Sequence, residues 1–231
     1  MKKAVTIFTK LLQSINGNLP ENIRHAVLVK RRTRHFRNVG VVFIHIPKAA
    51  GSSVNEALYG QFMGHYSAEL FMRMASAEIK KLPRFAIARN PWSRVVSAYR
   101  FAKLGAGMGG HVTAGIRNAA QYQIPEFASF ERFVKEWLPR QNLEKTDGVF
   151  RLQTSYILNL QGDLLVDHVG RLEDLAPTLL WLKNNIPTPI SIPRSNLSGE
   201  PVHYRELYSH DTAEIVKHLY QKDISFFNYQ F

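Results

Sequence analysis

A chain of 231 residues with 45% apolar side chains is long enough to bury one full α/β core and is best read as a single domain. It contains no cysteine, which removes disulfides, thiolate chemistry and cysteine-based zinc sites together, and it shows no trace of the disulfide framework common in secreted proteins. With 30 Lys+Arg against 18 Asp+Glu the formal charge is +12, so anionic partners are favoured by long-range attraction, whether an acidic glycan, an acidic membrane face, nucleic acid or a small, highly charged ligand.

Residues Met1 to Ile15 are mildly amphipathic, with Val5, Ile7, Phe8, Leu11, Leu12 and Ile15 on one face and Lys2, Lys3 and Lys10 outside it. The stretch lacks a signal-peptide core and cleavage site, and reads as a helix packing on the domain, with a peripheral membrane foot as the sharper alternative. The cluster Lys30-Arg31-Arg32-Thr33-Arg34-His35-Phe36-Arg37 reads as a solvated face or linker, or as the extension of an acceptor-binding strip. Residues 1–38 are therefore set apart as a basic amphipathic N-terminal segment, ahead of the main domain over 39–231. No stretch approaches the ~20 apolar residues of a membrane helix.

The run Val41-Val42-Phe43-Ile44-His45-Ile46 is short, β-branched and followed by Pro47, which predicts a buried strand. It stops at Lys48-Ala49-Ala50-Gly51-Ser52-Ser53, and Ser52 or Ser53 can cap a helix beginning near Val54. The first turn of such a helix carries unpaired N–H groups and a positive dipole end, to which Lys48 adds a mobile charge and Gly51 a backbone without a Cβ in a ligand's way. This is a phosphate cradle, but not a Walker A loop, in which the lysine follows the second glycine.

Next, His65 to Met74 predicts a cap and a helix that ends before Pro83. Phe85-Ala86-Ile87-Ala88 predicts a second strand, and Arg89-Asn90-Pro91-Trp92-Ser93-Arg94 a second strand-to-helix switch, with proline at the helix start. Arg89 would stand at the carboxyl end of its strand, where open α/β sheets bind ligands, and its planar fork suits phosphate, although a structural ion pair would explain it equally well. Ser97 lies about a turn further on, on the side of Ser93 and Arg94, so its hydroxyl can join Arg89 on one anion. Two anion sites at adjacent strand ends imply a ligand with two separated charged groups.

Gly105 to Gly115 reads as a flexible loop over the strand ends, where an acceptor can bind. Phe127 to Leu138 and Phe150 to Leu160 have helical periodicity, Leu164 to Val169 predicts a third strand, Leu172 to Asn185 its helix, and Tyr204 to Lys222 a closing helix. Strands alternating with helices give the fold class: a single α/β domain whose central, mostly parallel sheet is flanked by helices.

The two motifs, Phe43 to Ser53 and Arg89 to Tyr99, together with Asp167 to Glu173, Asn196-Leu197-Ser198 and the ending Tyr220 to Tyr229, resemble the P-loop-like sulfotransferases, in particular the carbohydrate branch with its heparan-sulfate 2-O-type and chondroitin-type enzymes and bacterial relatives. The resemblance covers roughly residues 40 to 231 and implies a P-loop-like nucleotide-binding topology, with 39–231 as a sulfotransferase domain. It implies a donor, 3′-phosphoadenosine 5′-phosphosulfate, whose two charged ends match the two sites, and no metal. Carried over, Lys48, Ala49, Ala50, Gly51, Ser52 and Ser53 face the 5′-phosphosulfate and Arg89 and Ser97 the 3′-phosphate, while Arg194 lies in Ile192 to Ser198, where relatives place a loop closing over the nucleotide. The missing membrane span departs from Golgi members and suggests a bacterial-type cytoplasmic enzyme, with residues 1–38 as its route to a membrane surface.

Moving a sulfuryl group to a hydroxyl needs a base for the acceptor proton and a cation for the departing phosphate oxygen. Lys48 is the expected cation. Histidine is the base usual in the carbohydrate branch, and His65 is the first candidate, ahead of His45 on the strand and His111 on the glycine-rich loop. A glycan is the expected acceptor, nucleic acid is not an expected partner, and Tyr66, Arg73, Tyr122 and Arg117 are candidates to line a sugar site. The alternatives are a divergent P-loop nucleotide or phosphate kinase and a non-enzymatic polyanion-binding module; the position of Lys48 and the lack of clear magnesium ligands stand against the kinase.

Overall fold

A computed structural model describes residues 20–105, 116, 118–187 and 203–231. Its centre is a three-stranded parallel sheet in the order β1 (Val42–Ile44), β2 (Arg84–Ala88), β3 (His168–Arg171). Register pairs Phe43 with Phe85 and Phe85 with His168, so these three rings stand in a row on one face. Trp181 of the helix after β3 covers the row, 5.7 Å from the Phe85 ring and stacked on His168 at 5.2 Å. Gly170 lies on the same face and lets that helix come close, since a Cβ there would sit 1.9 Å from Thr178 Oγ1. All three strands run the same way, so β1 and β2 deliver their following loops to one edge of the sheet.

The helices that flank the sheet are α1 (Glu21–Val39), α2 (Gly51–Tyr59), α3 (Ala68–Met74), α4 (Ala77–Lys80), α5 (Pro91–Lys103), α6 (Thr154–Ile157), α7 (Ala176–Asn185), α8 (His210–Leu219) and α9 (Gln221–Phe227). The basic cluster at residues 30–37 lies on α1, which packs on α2, α3 and α4. Val29 and Phe36 point inward, with the Phe36 ring edge-on to Tyr59, Tyr66 and Phe71, while Lys30, Arg31, Arg34 and Arg37 are exposed. Residues 21–38 thus share the core of the domain that follows them. The amphipathic run 1–15 lies outside the described residues, and no helix among those described is long and apolar enough to cross a membrane.

Several expected elements differ in extent. β3 begins at His168, not Leu164, because Leu164 pairs back on Leu158 and Asp167 is engaged with Arg84 before the ladder starts. The helix expected over 150–160 shrinks to α6: the Gln153 side chain turns to the Arg89 backbone, and buried Asp223 receives the amides of Gln153 and Thr154 at 2.7 and 2.9 Å. The periodic stretch 127–138 becomes a short α turn at Phe130–Arg132, a π turn at Phe133–Trp137 and a 3-10 turn at Leu138–Arg140; the wider π turn stacks Phe133 on Trp137 at 5.4 Å. The closing helix breaks into a 3-10 turn at Tyr204–Leu207, α8 behind a Ser209–Thr212 capping box, and α9.

Phe36→Ala is expected to destabilise the protein by about 3–5 kcal/mol, as removal of a fully packed ring does. Urea unfolding measures it; a loss within ~0.5 kcal/mol, the size expected of a surface change, would mean that α1 does not share the core.

Candidate active site

Lys48 and Arg89 stand where two parallel strands end, and one hydrogen bond joins them: the Arg89 guanidinium donates from NH1 to the Lys48 carbonyl oxygen at 3.3 Å. The loop between β1 and α2 is strained, with φ of 68° at Lys48 and 58° at Ala50, a region that costs a residue with a Cβ about 1–3 kcal/mol. α2 opens at Gly51 with Ala50 as its left-handed N-cap, so Ser52 and Ser53 belong to the first turn and cap nothing. Ser52 is exposed, Ser53 and Ala49 are buried, and the unpaired first-turn amides of α2 follow directly on Lys48.

Gly51 has a different reason from the one its sequence suggests. The path of a Cβ is filled by the His45 ring, whose Cδ2 would lie 1.8 Å away, so the glycine is required by the packing of β1 on α2. His45 is itself fixed: Asn55 Nδ2 donates to its Nδ1 at 3.0 Å, and burial, then His65 and Lys48, hold its pKa well below the ordinary value. It is a neutral core histidine.

His65 is buried beside it, ring centroids 4.0 Å apart, and Phe62 stands edge-on to both. The contact of His65 Nδ1 with the His45 carbonyl oxygen at 3.2 Å makes Nδ1 the protonated nitrogen, because a carbonyl only accepts. In the neutral ring Nε2 is then the basic nitrogen.

On the second motif, Asn90 caps α5 by accepting from the amides of Trp92 and Ser93, and Pro91 occupies the first helical position. Arg89 Nε donates to Ser93 Oγ at 3.0 Å; Ser97 lies one turn further along the same face, and the serine that Arg89 engages here is Ser93. Arg94 does not share that face. It is 1% exposed and spends its guanidinium on the carbonyl oxygens of Pro47 at 2.9 Å, Arg151 at 2.9 Å and Gly148 at 3.4 Å.

Four further residues matter to which sequence reasoning gave no role. Gln153, fully buried, brackets the Arg89 backbone, accepting from its N–H at 3.0 Å and donating to its oxygen at 2.8 Å, and so extends β2 with a side chain. Asp223 holds Gln153, and Glu173 receives the Asn90 amide at 2.7 Å and the Tyr229 hydroxyl at 2.9 Å, so the last helix and tail support the second motif. Phe101 on α5 lies under Lys48, with Nζ 4.0 Å from the ring centroid. An amide, a lone aspartate and a helix phenylalanine carry no signal in sequence.

Burial first, then the like charges of Arg89 and Arg94, push the Lys48 ammonium down to about 8. Burial also pulls Arg89 below its usual value, with Glu173 opposing. The ends of β1 and β2 thus bring together two cationic side chains and the first-turn amides of α2, while His65 packs on His45 with its Nε2 buried. Of the other candidates, Arg194 and His111 lie outside the described residues, as does Arg117. Tyr66 is buried under α1 with no hydrogen-bond partner for its hydroxyl, Arg73 is exposed on α3, and Tyr122 is buried with its hydroxyl on Asp147.

A parallel sheet with cationic loops at its carboxyl edge is the frame of a phosphate- or sulfate-handling enzyme. The sulfotransferase family model matches residues 31–230, and the chain belongs to that family. Comparison with curated proteins and with solved structures gave no match.

Gly51→Ala is expected to cost about 1–3 kcal/mol through the collision with His45, lowering the melting temperature by several degrees. An unchanged melting temperature would mean that the glycine serves a ligand and not the packing.

Proposed function

We propose that the protein transfers the sulfuryl group of 3′-phosphoadenosine 5′-phosphosulfate to a hydroxyl of a carbohydrate acceptor, with His65 as the base. The observation that carries this reading is the pairing of Lys48 with Arg89 across adjacent strand ends, two cationic groups on separate loops for a ligand charged at two places. The donor set fits such a ligand: Lys48 and the amides of Gly51, Ser52 and Ser53 suit the phosphosulfate end, and Arg89 with Ser97 or Ser93 the 3′-phosphate. When bound, the donor supplies the sulfuryl group and a phosphate as leaving group.

Each residue has a task that follows from its place. Lys48 neutralises charge at the anionic end, and its ammonium is what makes a phosphate a competent leaving group there. Arg89 holds the Lys48 carbonyl and orients the loop. His65 takes the acceptor proton at Nε2, and its Nδ1–H bond to the His45 carbonyl keeps that nitrogen basic. Exposed Phe62 beside His65, and the basic outer face of α1, support an acceptor that is a sugar and is itself acidic.

His65→Ala is expected to lower sulfate transfer from labelled donor by 10²–10⁴-fold while leaving calorimetric binding of the desulfated nucleotide, 3′-phosphoadenosine 5′-phosphate, near normal. Unchanged turnover removes His65 as base. Lys48→Ala and Arg89→Ala should each weaken that binding at least tenfold, and unaltered affinity in both would break the assignment. Magnesium-dependent ATP turnover would replace it with a kinase.

Donor affinity should also depend on pH in a defined sense. The ammonium of Lys48 is lost as pH rises through about 8, so nucleotide binding weakens above that pH and takes up a proton there. Calorimetry in two buffers of different ionisation enthalpy measures the uptake. It should vanish in Lys48→Ala, and an equal uptake in that variant would assign the proton to another group.

A further inference from the structure

Among the described residues Lys48 lacks the partner that a desolvated ammonium ordinarily has. Among the described residues no carboxylate reaches Nζ, and the charged groups facing it, Arg89 from the end of β2 and Arg94 from α5, carry its own sign, while His45, just after β1, is neutral. What it does contact is the face of Phe101. Phe101 follows Ser97 by four residues, as Ser97 follows Ser93, so the three lie along one stripe of α5 that begins beside Arg89 and ends at Lys48.

We propose that Phe101 is a positioning residue for sulfuryl transfer: its ring holds the Lys48 ammonium at the loop before the donor arrives and releases it to the donor's anionic end. This rests on the reading of Lys48 as the group at the transferring end. The chemistry favours an aromatic ring over an acid in this place. A carboxylate would neutralise the ammonium and compete with the incoming anion, whereas a ring attracts the cation through its quadrupole, keeps it charged against Arg89 and Arg94, and gives it up to a charge-assisted bond with phosphate. One helix face then serves both ends of the donor, Ser93 and Ser97 at the Arg89 end and Phe101 at the Lys48 end.

The test uses the full chain, reductively methylated with ¹³C-formaldehyde, and follows the dimethyl signal of Lys48, assigned by its absence in Lys48→Arg. The signal should lie upfield of the exposed lysines in the parent protein and in Phe101→Tyr, where the ring is kept. In Phe101→Leu it should move to the position of exposed lysines, and its titration midpoint should fall by about one pH unit, a tenfold loss of proton affinity. In turnover, kcat/KM of Phe101→Leu should fall about tenfold with its alkaline limb displaced by the same amount, and Phe101→Tyr should restore both. Phe101→Trp, whose ring binds cations better, should raise the midpoint and decides the matter if the leucine variant does not fold. An unshifted signal with an unchanged midpoint in Phe101→Leu, or in Phe101→Trp in its stead, overturns the proposal even when Lys48→Ala still abolishes nucleotide binding. If Lys48→Ala binds 3′-phosphoadenosine 5′-phosphate as the parent does, the reading of Lys48 falls first and the proposal with it, whatever the NMR signal shows.

Discussion

The site depends on the buried guanidinium of Arg94. A full charge 1% exposed is costly unless it is well bonded, and Arg94 meets that cost by donating to three main-chain oxygens, those of Pro47, Gly148 and Arg151, with the Asp223 carboxylate near enough to interact with it. One planar fork thereby fixes the loop after β1, the helix after β2 and the segment before α6 in a single arrangement. A lysine could not replace it, because a point charge has no fork to span three carbonyls.

That clamp explains how the lysine loop can be strained. With the Pro47 carbonyl held by Arg94 and the Lys48 carbonyl by Arg89, the chain is anchored on both sides of the Lys48 Cα, where φ is 68°, two residues ahead of Ala50 at 58°. The Lys48 side chain lies over Phe101, and the first turn of α2 follows soon after in the chain. Support then passes outward in layers: Gln153 brackets Arg89, Asp223 holds Gln153, and burial raises the Asp223 carboxyl against the pull of Arg94 and its amide donors.

The sheet and the two loops at its carboxyl edge are legible because their signals are local. An apolar run closing on Pro47 and Lys48, and another closing on Arg89-Asn90-Pro91, need only strand burial and helix-start chemistry to be read. Boundaries failed where tertiary bonds overrode periodicity, as at 150–160, where Gln153 leaves the helical pattern for the Arg89 backbone. Residue roles failed for the same reason. Gly51 looks like room for a ligand and is room for His45; Arg94 is grouped with Ser93 and Ser97 by its spacing and turns instead into the core; Ser53 looks like a cap and lies within a helix already begun. Each of these depends on what lies across the sheet, which spacing along the chain does not carry.

The proposed donor site has two ends, the Lys48 loop and the Arg89 helix start. A crystal structure of the protein with 3′-phosphoadenosine 5′-phosphate tests it most directly. The 5′-phosphate should lie against Lys48 and the amides of residues 51–53, the 3′-phosphate against Arg89 and Ser97 or Ser93, with His65 Nε2 facing the open acceptor side. Both phosphates on one loop, or a nucleotide seated away from Lys48 and Arg89, would contradict it.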